Sequence, residues 1–281
     1  MRLRYRLVNV FAMPENVFSG NPLCVFEDGS ELQQEQMQAL ALQFNLSETS
    51  FIVPPERGDE MGVRIFTPRY EMAFAGHPTL GTAAVVRALG RAGDTLRLSM
   101  PAGVIPVEAS GDLWTLTALP GTVGTEYPLE VLAASVGLQA KDLVAPVQQV
   151  STGSAQVIAQ TRSVAALSRA VGDAALMRRY AGMGTKGGET LVYLWCETGD
   201  GTIEARALFT QGAAAVEDPA TGSACSNLGV WLAAQGRSGR WVVNQGAMVG
   251  RPSTLHLSVD AGGAVQVGGL VTEIGSGEVV L

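Results

Sequence analysis

Two apolar segments of equal length, each bracketed by glycines, constrain the fold more than any other feature of the sequence. One runs from Gly76 to Gly90 and the other from Gly222 to Gly236. Apart from a histidine, the first contains one charged side chain, Arg87, and the second contains none. A helix that is apolar on all sides has to be buried on all sides. The sequence therefore predicts two central helices, each covered by other elements.

Shorter matches between the halves of the chain suggest that both helices belong to a repeat. The matching pairs are Ser19-Gly20-Asn21-Pro22 with Thr152-Gly153-Ser154-Ala155, Glu48-Thr49 with Glu189-Thr190, and Phe66-Thr67 with Phe209-Thr210. The offset within a pair rises along the chain, as expected of a duplication with small insertions. We therefore predict two pseudo-symmetric domains. Chance similarity between Gly- and Ala-rich segments is the alternative.

Short segments of alternating apolar and polar residues surround both helices and predict strands. They are 3–11, 51–53, 62–66, 96–99, 113–116, 191–195, 203–209 and 255–259. Ser30 as N-cap, with Gln33 as the third residue of a capping box, predicts an additional outer helix. Its buried face would carry Met37, Leu40, Ala41 and Phe44. The predicted fold class is α+β, with a curved, mostly antiparallel sheet wrapped around a central helix in each half.

A stretch without periodicity separates the two halves. It extends over residues 119–128 and contains Pro120, Gly121 and Pro128, which are residues typical of linkers and turns. We therefore place the domain boundary here, which gives an N-terminal domain of residues 1–120 and a C-terminal domain of residues 121–281.

Composition excludes several classes of function. With 26 acidic and 19 basic residues the net charge is −7, which argues against nucleic-acid and basic membrane-surface proteins. No apolar run approaches the roughly 20 residues of a transmembrane helix, so we predict a cytoplasmic protein. The glycine-rich segment 182–188 contains Lys186 but lacks the ending of a P-loop.

The cysteines and histidines predict neither a disulfide framework nor a metal site. Three cysteines lie far apart with no Cys-x-x-Cys spacing, namely Cys24, Cys196 and Cys225. The only histidines are His77 and His256, so few soft or imidazole ligands exist for a metal. We therefore expect no bound metal.

The start of each central helix predicts an anion site. Free N–H groups and the positive end of the helix dipole favour a negative charge there. If the two helix starts face one cleft between the halves, its ligand would be a small carboxylate. The titratable residues nearby in sequence are His77, Asp218 and its neighbour Glu217, and Glu48 precedes an apolar strand. A partly desolvated carboxylate can serve as a general acid or base, which makes Glu48 a candidate proton shuttle.

Each candidate also has a purely structural interpretation. Glu48 could be a solvated loop or capping residue, and His77 a turn residue with backbone hydrogen bonds. Asp218 could belong to an Asp-Pro turn or cap a helix, and Thr221 and Ser223 are equally good caps. The residues alone therefore indicate a site without naming its reaction.

Four motifs resemble the phenazine-biosynthesis PhzF-like family. They are Asn16-Val17-Phe18-Ser19-Gly20-Asn21-Pro22, Ser47-Glu48-Thr49-Ser50-Phe51, Ala75-Gly76-His77-Pro78-Thr79-Leu80-Gly81 and Glu217-Asp218-Pro219-Ala220-Thr221-Gly222-Ser223-Ala224. The resemblance extends from about residue 5 to Gly250-Arg251-Pro252-Ser253 and beyond. It implies the diaminopimelate-epimerase fold, in agreement with the duplication.

The resemblance also implies an activity, that of an isomerase without metal or organic cofactor. Glu48 would move a proton between two carbons of a conjugated carboxylate, with His77 and Asp218 as hydrogen-bonding or acid–base partners. The substrate would be held by Ser47, Gly76, Gly222 and Ser223. Membership in this family further implies a homodimer.

Two alternatives stay open. Related epimerases and racemases use two cysteines, but those positions read Ala75 and Thr221 here, which disfavours a two-thiol racemase. An epimerase or tautomerase acting on another amino or hydroxy acid is still compatible with the sequence. So is a non-catalytic protein that binds a small anion.

Overall fold

The computed structural model describes residues 1–55, 61–181, 189–199 and 201–281. The chain divides into two compact units, Met1–Thr117 with Gly268–Leu281, and Ala118–Val267. Its secondary structure is α+β, and all eight predicted strand segments lie within observed strands. Segment 182–188, where the sequence disfavours a P-loop, lies outside the described residues. In the described part of the chain, no helix combines the length and apolar character needed to cross a membrane.

The first unit contains eight complete strands and two helices. The strands are β1 (Arg2–Ala12), β2 (Asn21–Phe26), β3 (Glu48–Val53), β4 (Met61–Phe66), β5 (Glu71–Met72), β6 (Thr95–Met100), β7 (Gly103–Ser110) and β8 (Leu113–Thr117). The helices are α1 (Gln34–Phe44) and α2 (Gly76–Ala88).

The second unit begins with β9 (Thr122–Glu126). Its remaining strands are β10 (Leu143–Ser151), β11 (Ala155–Thr161), β12 (Leu191–Gly199), β13 (Thr202–Gln211), β14 (Ala214–Asp218), β15 (Gly239–Gln245) and β16 (Ser253–Val259). Its helices are α3 (Leu129–Ser135), α4 (Val164–Arg169), α5 (Ala174–Tyr180) and α6 (Gly222–Ala234). The last strand, β17 (Val265–Val280), begins in this unit and continues in the first.

The two units have the same order of strand pairing. In the first, β1–β2, β3–β4 and β6–β7 are antiparallel, whereas β2–β3 and β4–β6 are parallel. In the second, β10–β11, β12–β13 and β15–β16 are antiparallel, whereas β11–β12 and β13–β15 are parallel. In both, the long buried helix comes just before the strand that makes the second parallel pair. This common order supports the duplication inferred from the sequence.

Helix α2 is buried as predicted from its apolar sequence. All of its residues from Gly76 to Ala83 are buried. At Gly81 the helix approaches the sheet so closely that a Cβ atom would lie 2.6 Å from Leu23 Cδ2 and 2.9 Å from Val10 Cγ2. Glycine thus allows the helix to pack directly on β1 and β2.

Helix α6 is buried in the same way. Its residues from Gly222 to Gly229 are buried. At Gly229 an added Cβ atom would lie 2.5 Å from Val265 Cγ1 and 2.9 Å from Leu257 Cδ1. The prediction of a second buried helix is therefore confirmed.

The predicted start of the outer helix is wrong by three residues. The N-cap of α1 is Gln33, whose N–H donates to Oε1 of Gln36 at 2.9 Å, and not Ser30. The N–H of Ser30 instead donates to the carboxylate of Asp28, because the chain is still turning at this point. The predicted buried face is confirmed, since Met37, Leu40 and Ala41 are buried and Phe44 packs against the same core.

The predicted linker contains a strand. Residues Thr122–Glu126 form β9 and pair with β10, with Thr122 opposite Ser151 and Glu126 opposite Gln148. All five residues of β9 are exposed. Because no side of the strand is buried, the sequence has no alternation that would reveal it.

The end of the chain returns to its beginning. Strand β17 pairs with β1 in antiparallel fashion, from Arg2 opposite Val280 to Ala12 opposite Leu270. Residues 268–281 accordingly belong to the first compact unit, although they follow the proposed boundary between domains 1–120 and 121–281. That domain assignment stays a prediction.

Candidate active site

Glu48 lies at the start of a buried strand in the first unit. It is the first residue of β3, opposite Leu23 of the parallel strand β2. Its side chain is 16% exposed, so it is mostly shielded from solvent, and its Oε2 atom is buried. Its Oε2 atom lies 3.5 Å from Nε2 of His77.

His77 is held beside Glu48 by the first turn of α2. Its side chain is 5% exposed, and burial lowers its pKa from 6.5 to about 3, against the smaller opposing effect of a hydrogen bond with the Pro22 backbone. The imidazole is therefore neutral at neutral pH, and its contact with Glu48 is not an ion pair. A neutral imidazole can donate to a carboxylate or accept from a carboxylic acid, depending on its tautomer.

Two further polar residues support this pair. The hydroxyl of Ser47 donates to Oδ1 of Asn21 at 3.0 Å, and Nδ2 of Asn21 lies 3.4 Å from Nδ1 of His77. Asn21 follows Gly20, which has a φ of +78° and lies so close to β1 that a Cβ atom would be 2.5 Å from the Val10 carbonyl oxygen. The predicted residues Ser47, Glu48, Gly76 and His77 are thus gathered at the start of α2, with Asn21 between them.

Asp218 lies at the corresponding helix start of the second unit. It is the last residue of β14 and is buried, and its Oδ2 atom accepts a hydrogen bond from the hydroxyl of Thr221 at 2.6 Å. Thr221 is the N-cap residue of α6 by position but makes no side-chain capping bond. Ser223 lies one residue inside the helix, so neither Thr221 nor Ser223 caps α6 through its side chain.

A buried chain of side chains leads to Ser223. Thr152 donates to Oδ1 of Asn227 at 2.9 Å, Nδ2 of Asn227 donates to Oε1 of Gln156 at 2.8 Å, and Nε2 of Gln156 donates to Oγ of Ser223 at 2.9 Å. Because Ser223 accepts from Gln156, its own hydroxyl hydrogen can be donated to a ligand. Gly222, the first residue of α6, adds a backbone N–H at the same helix start.

Glu217, the neighbour of Asp218, has a structural role. Its Oε2 atom accepts from Nη2 of Arg206 at 2.6 Å. Nη1 of the same arginine donates to the carbonyl oxygens of Leu167 at 2.9 Å and Ala170 at 2.8 Å. This buried pair ties β14 to β13 and to the end of α4, and leaves Asp218 as the carboxylate at the helix start.

The cysteines and potential metal ligands do not cluster. Cys24, Cys196 and Cys225 are free and buried. Burial raises the pKa of Cys225 far above its ordinary value, so the thiol stays protonated. Within residues 1–55, 61–181, 189–199 and 201–281, no group of three or more His, Cys, Asp and Glu side chains could hold a metal ion.

Sequence reasoning did not single out the polar side chains that hold the candidates in place. Asn21 appeared only within a longer motif, and Gln156 and Asn227 were not noticed. The echo between Ser19-Gly20 and Thr152-Gly153 contained a usable signal, because Ser19 and Thr152 are both buried polar residues beside glycines with positive φ. Polar residues at matching places of a repeat are candidates for supporting a site.

Comparison with known proteins identifies the family. The family model described as phenazine biosynthesis-like protein matches residues 8–275. A protein of Pasteurella multocida named an uncharacterized isomerase is 37% identical, over 98% of this chain and 93% of its own length. The trans-2,3-dihydro-3-hydroxyanthranilate isomerase of Pseudomonas aeruginosa is 32% identical, over 95% of both chains.

A solved structure agrees with these matches. The solved structure of a predicted epimerase from Pseudomonas aeruginosa has a TM-score of 0.82 and is 30% identical, and the match covers 99% of both chains. The chain therefore belongs to the phenazine biosynthesis-like protein family and is an isomerase of the PhzF-like type.

Proposed function

We propose that the protein is a cofactor-independent isomerase that moves a proton between two carbons of a small, conjugated carboxylate, with Glu48 as its single acid–base residue. The observation that supports this most is the pairing of the shielded Glu48 carboxylate with an imidazole that is neutral at neutral pH. Shielding from water disfavours the charged form of a carboxylate and so favours proton uptake, which a general base needs.

The reaction balances without any further reactant. The Glu48 carboxylate removes a proton from one carbon, and the electron pair left behind is delocalised over the conjugated system. The resulting carboxylic acid returns the proton to another carbon of the same system, and Glu48 is again a carboxylate. His77 keeps one tautomer through this cycle, so its Nε2 atom is a hydrogen-bond donor to the carboxylate or an acceptor from the carboxylic acid, but not both in turn.

A mechanism with two thiols does not fit the residues at the helix starts. The positions at which related epimerases carry cysteines hold Ala75 and Thr221. Cys225 lies inside α6, and its raised pKa keeps it from acting as a thiolate base. The acid–base group of this proposal is therefore a single carboxylate that serves both carbons.

The residues of the second unit have a binding role in this proposal. Asp218 assists as a hydrogen-bonding partner, while Gly222 and Ser223 hold the substrate, as does Ser47 of the first unit. The N–H groups at the start of α6 and the hydroxyl of Ser223 are donors, which suits a carboxylate ligand. The anionic nature of the substrate is part of the proposal.

Three broader predictions accompany this function. The finer description of the fold is two pseudo-symmetric domains, each with a curved sheet around one central helix as in diaminopimelate epimerase. The equal order of strand pairing supports it. We further propose a homodimer and a cytoplasmic location, which oligomeric-state measurement and cell fractionation would test.

The test of the proposed function is Glu48→Gln. The amide has nearly the same shape as the carboxylate but cannot take up a proton, so turnover should fall at least about 100-fold. The assay is conversion of trans-2,3-dihydro-3-hydroxyanthranilate, the compound named for the Pseudomonas aeruginosa relative. In deuterium oxide, the fraction of product labelled at the carbon that receives the proton measures how often the Glu48 carboxylic acid exchanges with solvent before it returns the proton.

Glu189→Gln provides a matched control because Glu189-Thr190 repeats Glu48-Thr49 in the second half of the chain. This variant should retain wild-type turnover. Loss of activity in both variants would indicate two bases. Deuterium at the carbon that lost its proton, with inversion, would indicate an epimerase. Neither conversion of, nor exchange into, any tested acid would indicate a binding protein.

A further inference from the structure

The turn from Asp218 to Thr221 is held by one side chain from outside it. Gln245 is the last residue of β15 and is buried. Its Nε2 atom donates to the carbonyl oxygen of Asp218 at 2.9 Å and to Oγ1 of Thr221 at 3.0 Å. Its Oε1 atom accepts from the N–H of Thr221 at 3.2 Å. A single amide thus contacts both ends of the turn.

The amide of Gln245 can take only one orientation. Its Oε1 atom also accepts from the hydroxyl of Tyr193 at 3.1 Å. Burial raises the pKa of Tyr193 well above its ordinary value, so this hydroxyl keeps its hydrogen. Both donors and both acceptor positions of the amide are then in use, and reversing it would set donors against the Tyr193 and Thr221 hydrogens.

This orientation decides where the hydrogen of Thr221 points. Because Oγ1 of Thr221 accepts from Gln245, its own hydrogen is directed to Oδ2 of Asp218 at 2.6 Å. The Oδ2 atom of Asp218 is therefore fixed as a hydrogen-bond acceptor. The chain of hydrogen bonds from Tyr193 through Gln245 and Thr221 to Asp218 has a single direction.

The residue after Gln245, Gly246, brings the backbone at the end of β15 close to the same turn. Gly246 has a φ of +80°, and a Cβ atom there would lie 2.4 Å from the carbonyl oxygen of Pro219 and 2.3 Å from that of Arg251. Glycine therefore lets the end of β15 contact the Asp218–Thr221 turn directly. In the first unit the corresponding strand, β6, ends with Met100, whose side chain cannot form such an amide network.

We infer that Gln245 is a positioning residue of the candidate site: its side-chain amide fixes the Asp218–Thr221 turn and directs the Thr221 hydroxyl to Asp218. The turn geometry follows from contacts within the second unit alone. The catalytic consequence rests on the proposed function, in which Asp218 assists the reaction. Neither the family comparison nor the sequence motifs assign this residue.

The test is Gln245→Met, which keeps the length of the side chain and removes its hydrogen bonds. Amide hydrogen exchange measured by NMR should rise about tenfold at Thr221 N–H, which loses its acceptor. Hydrogen exchange at the Val243 N–H, which lies in β15 together with Gln245, should stay at the wild-type rate. With trans-2,3-dihydro-3-hydroxyanthranilate as the probe, kcat should fall up to about 100-fold while KM changes less than about threefold.

Asn244→Ala is the matched control. Asn244 lies in the same strand as Gln245, but its side-chain amide donates to Glu204 at 2.8 Å and not to the turn. Its removal should therefore leave hydrogen exchange at Thr221 unchanged. Should Gln245→Met not fold, Gln245→Asn withdraws the amide by one methylene and gives the same test. An unchanged Thr221 exchange rate, or an equal rise at Thr221 and Val243, would overturn the inference. The exchange measurement needs no substrate. It therefore tests the positioning role of Gln245 even if the proposed reaction proves wrong.

Discussion

Cys225 illustrates how a reactive residue type can be chemically silent at a given position. It lies in the first turns of α6, near the predicted site in sequence, but it is fully buried and its pKa is raised by burial. A thiol in such surroundings behaves as a small apolar side chain. The proposed roles at this helix start therefore belong to Asp218, Gly222 and Ser223.

We predict that Cys225→Ala leaves turnover within about twofold of wild type and lowers the free energy of unfolding by about 1 kcal/mol, because one buried atom is lost. Activity assays and denaturant unfolding measure the two effects. Cys24→Ala, which also removes a buried thiol, is the control for stability. An activity loss as large as that of Glu48→Gln would revive a thiol mechanism.

The candidate residues could be found from sequence, but their surroundings could not. Glu48 and His77 stand in recognisable motifs, and the structure brings them within 3.5 Å. Gln156 and Gln245 are single polar residues within strands, and nothing near them in sequence marks them as buried. Their importance comes from contacts with residues far away in the chain, such as the hydrogen bond from Gln245 to Asp218.

At the level of elements, the close packing of the central helices depends on glycine. Gly81 sits in the middle of α2, where glycine costs about 1 kcal/mol relative to alanine. The helix contacts rigid β-branched side chains of β1 and the buried Leu23 of β2 at this point. Glycine is needed at this position despite its low helix propensity, because a larger residue would clash with these side chains.

Gly81→Ala should therefore destabilise the protein by about 1 to 3 kcal/mol, since overpacking outweighs the gain in helix propensity. Denaturant unfolding measures the change. Gly93→Ala serves as the control, because a Cβ atom there meets nothing within 4 Å. A stabilised Gly81→Ala variant would show that helix propensity outweighs packing at this position.

Elements with strong local patterns were predictable, and elements without them were not. The apolar helices α2 and α6 and the alternating strands were found, whereas the fully exposed β9 was mistaken for a linker. The start of α1 was misplaced because Ser30 is a good capping residue whose amide is already used in a turn with Asp28. Pairing with the distant strand β10 explains the first case, and a local turn explains the second.

At the scale of the whole molecule, the chain termini are joined by strand pairing. Met1 and Leu281 are linked by a hydrogen bond of 2.6 Å, and β17 pairs with β1 along most of its length. Such a long-range pairing leaves no mark in the local sequence, which is why the domain prediction assigned the C-terminal strand by chain order. The first unit accordingly includes residues 268–281, which follow the second unit in the sequence.

Protonation of His77 should link the site to the stability of the whole protein. Its pKa is about 3 in the folded state and near 6.5 when exposed, so between these values the unfolded chain binds the additional proton. The free energy of unfolding should therefore decrease as pH falls below about 6.5, by about 1.4 kcal/mol per pH unit from this residue alone.

His77→Gln should remove this contribution, so its stability should decline less steeply than that of wild type between pH 6 and 4.5. Denaturant unfolding at several pH values measures both slopes, and groups that titrate elsewhere contribute equally to both proteins. His256→Gln, at an exposed position on β16, is the matched control for the loss of a histidine. Equal slopes for wild type and His77→Gln would mean that the buried imidazole already accepts a proton in the folded state, and its contact with Glu48 would then be an ion pair.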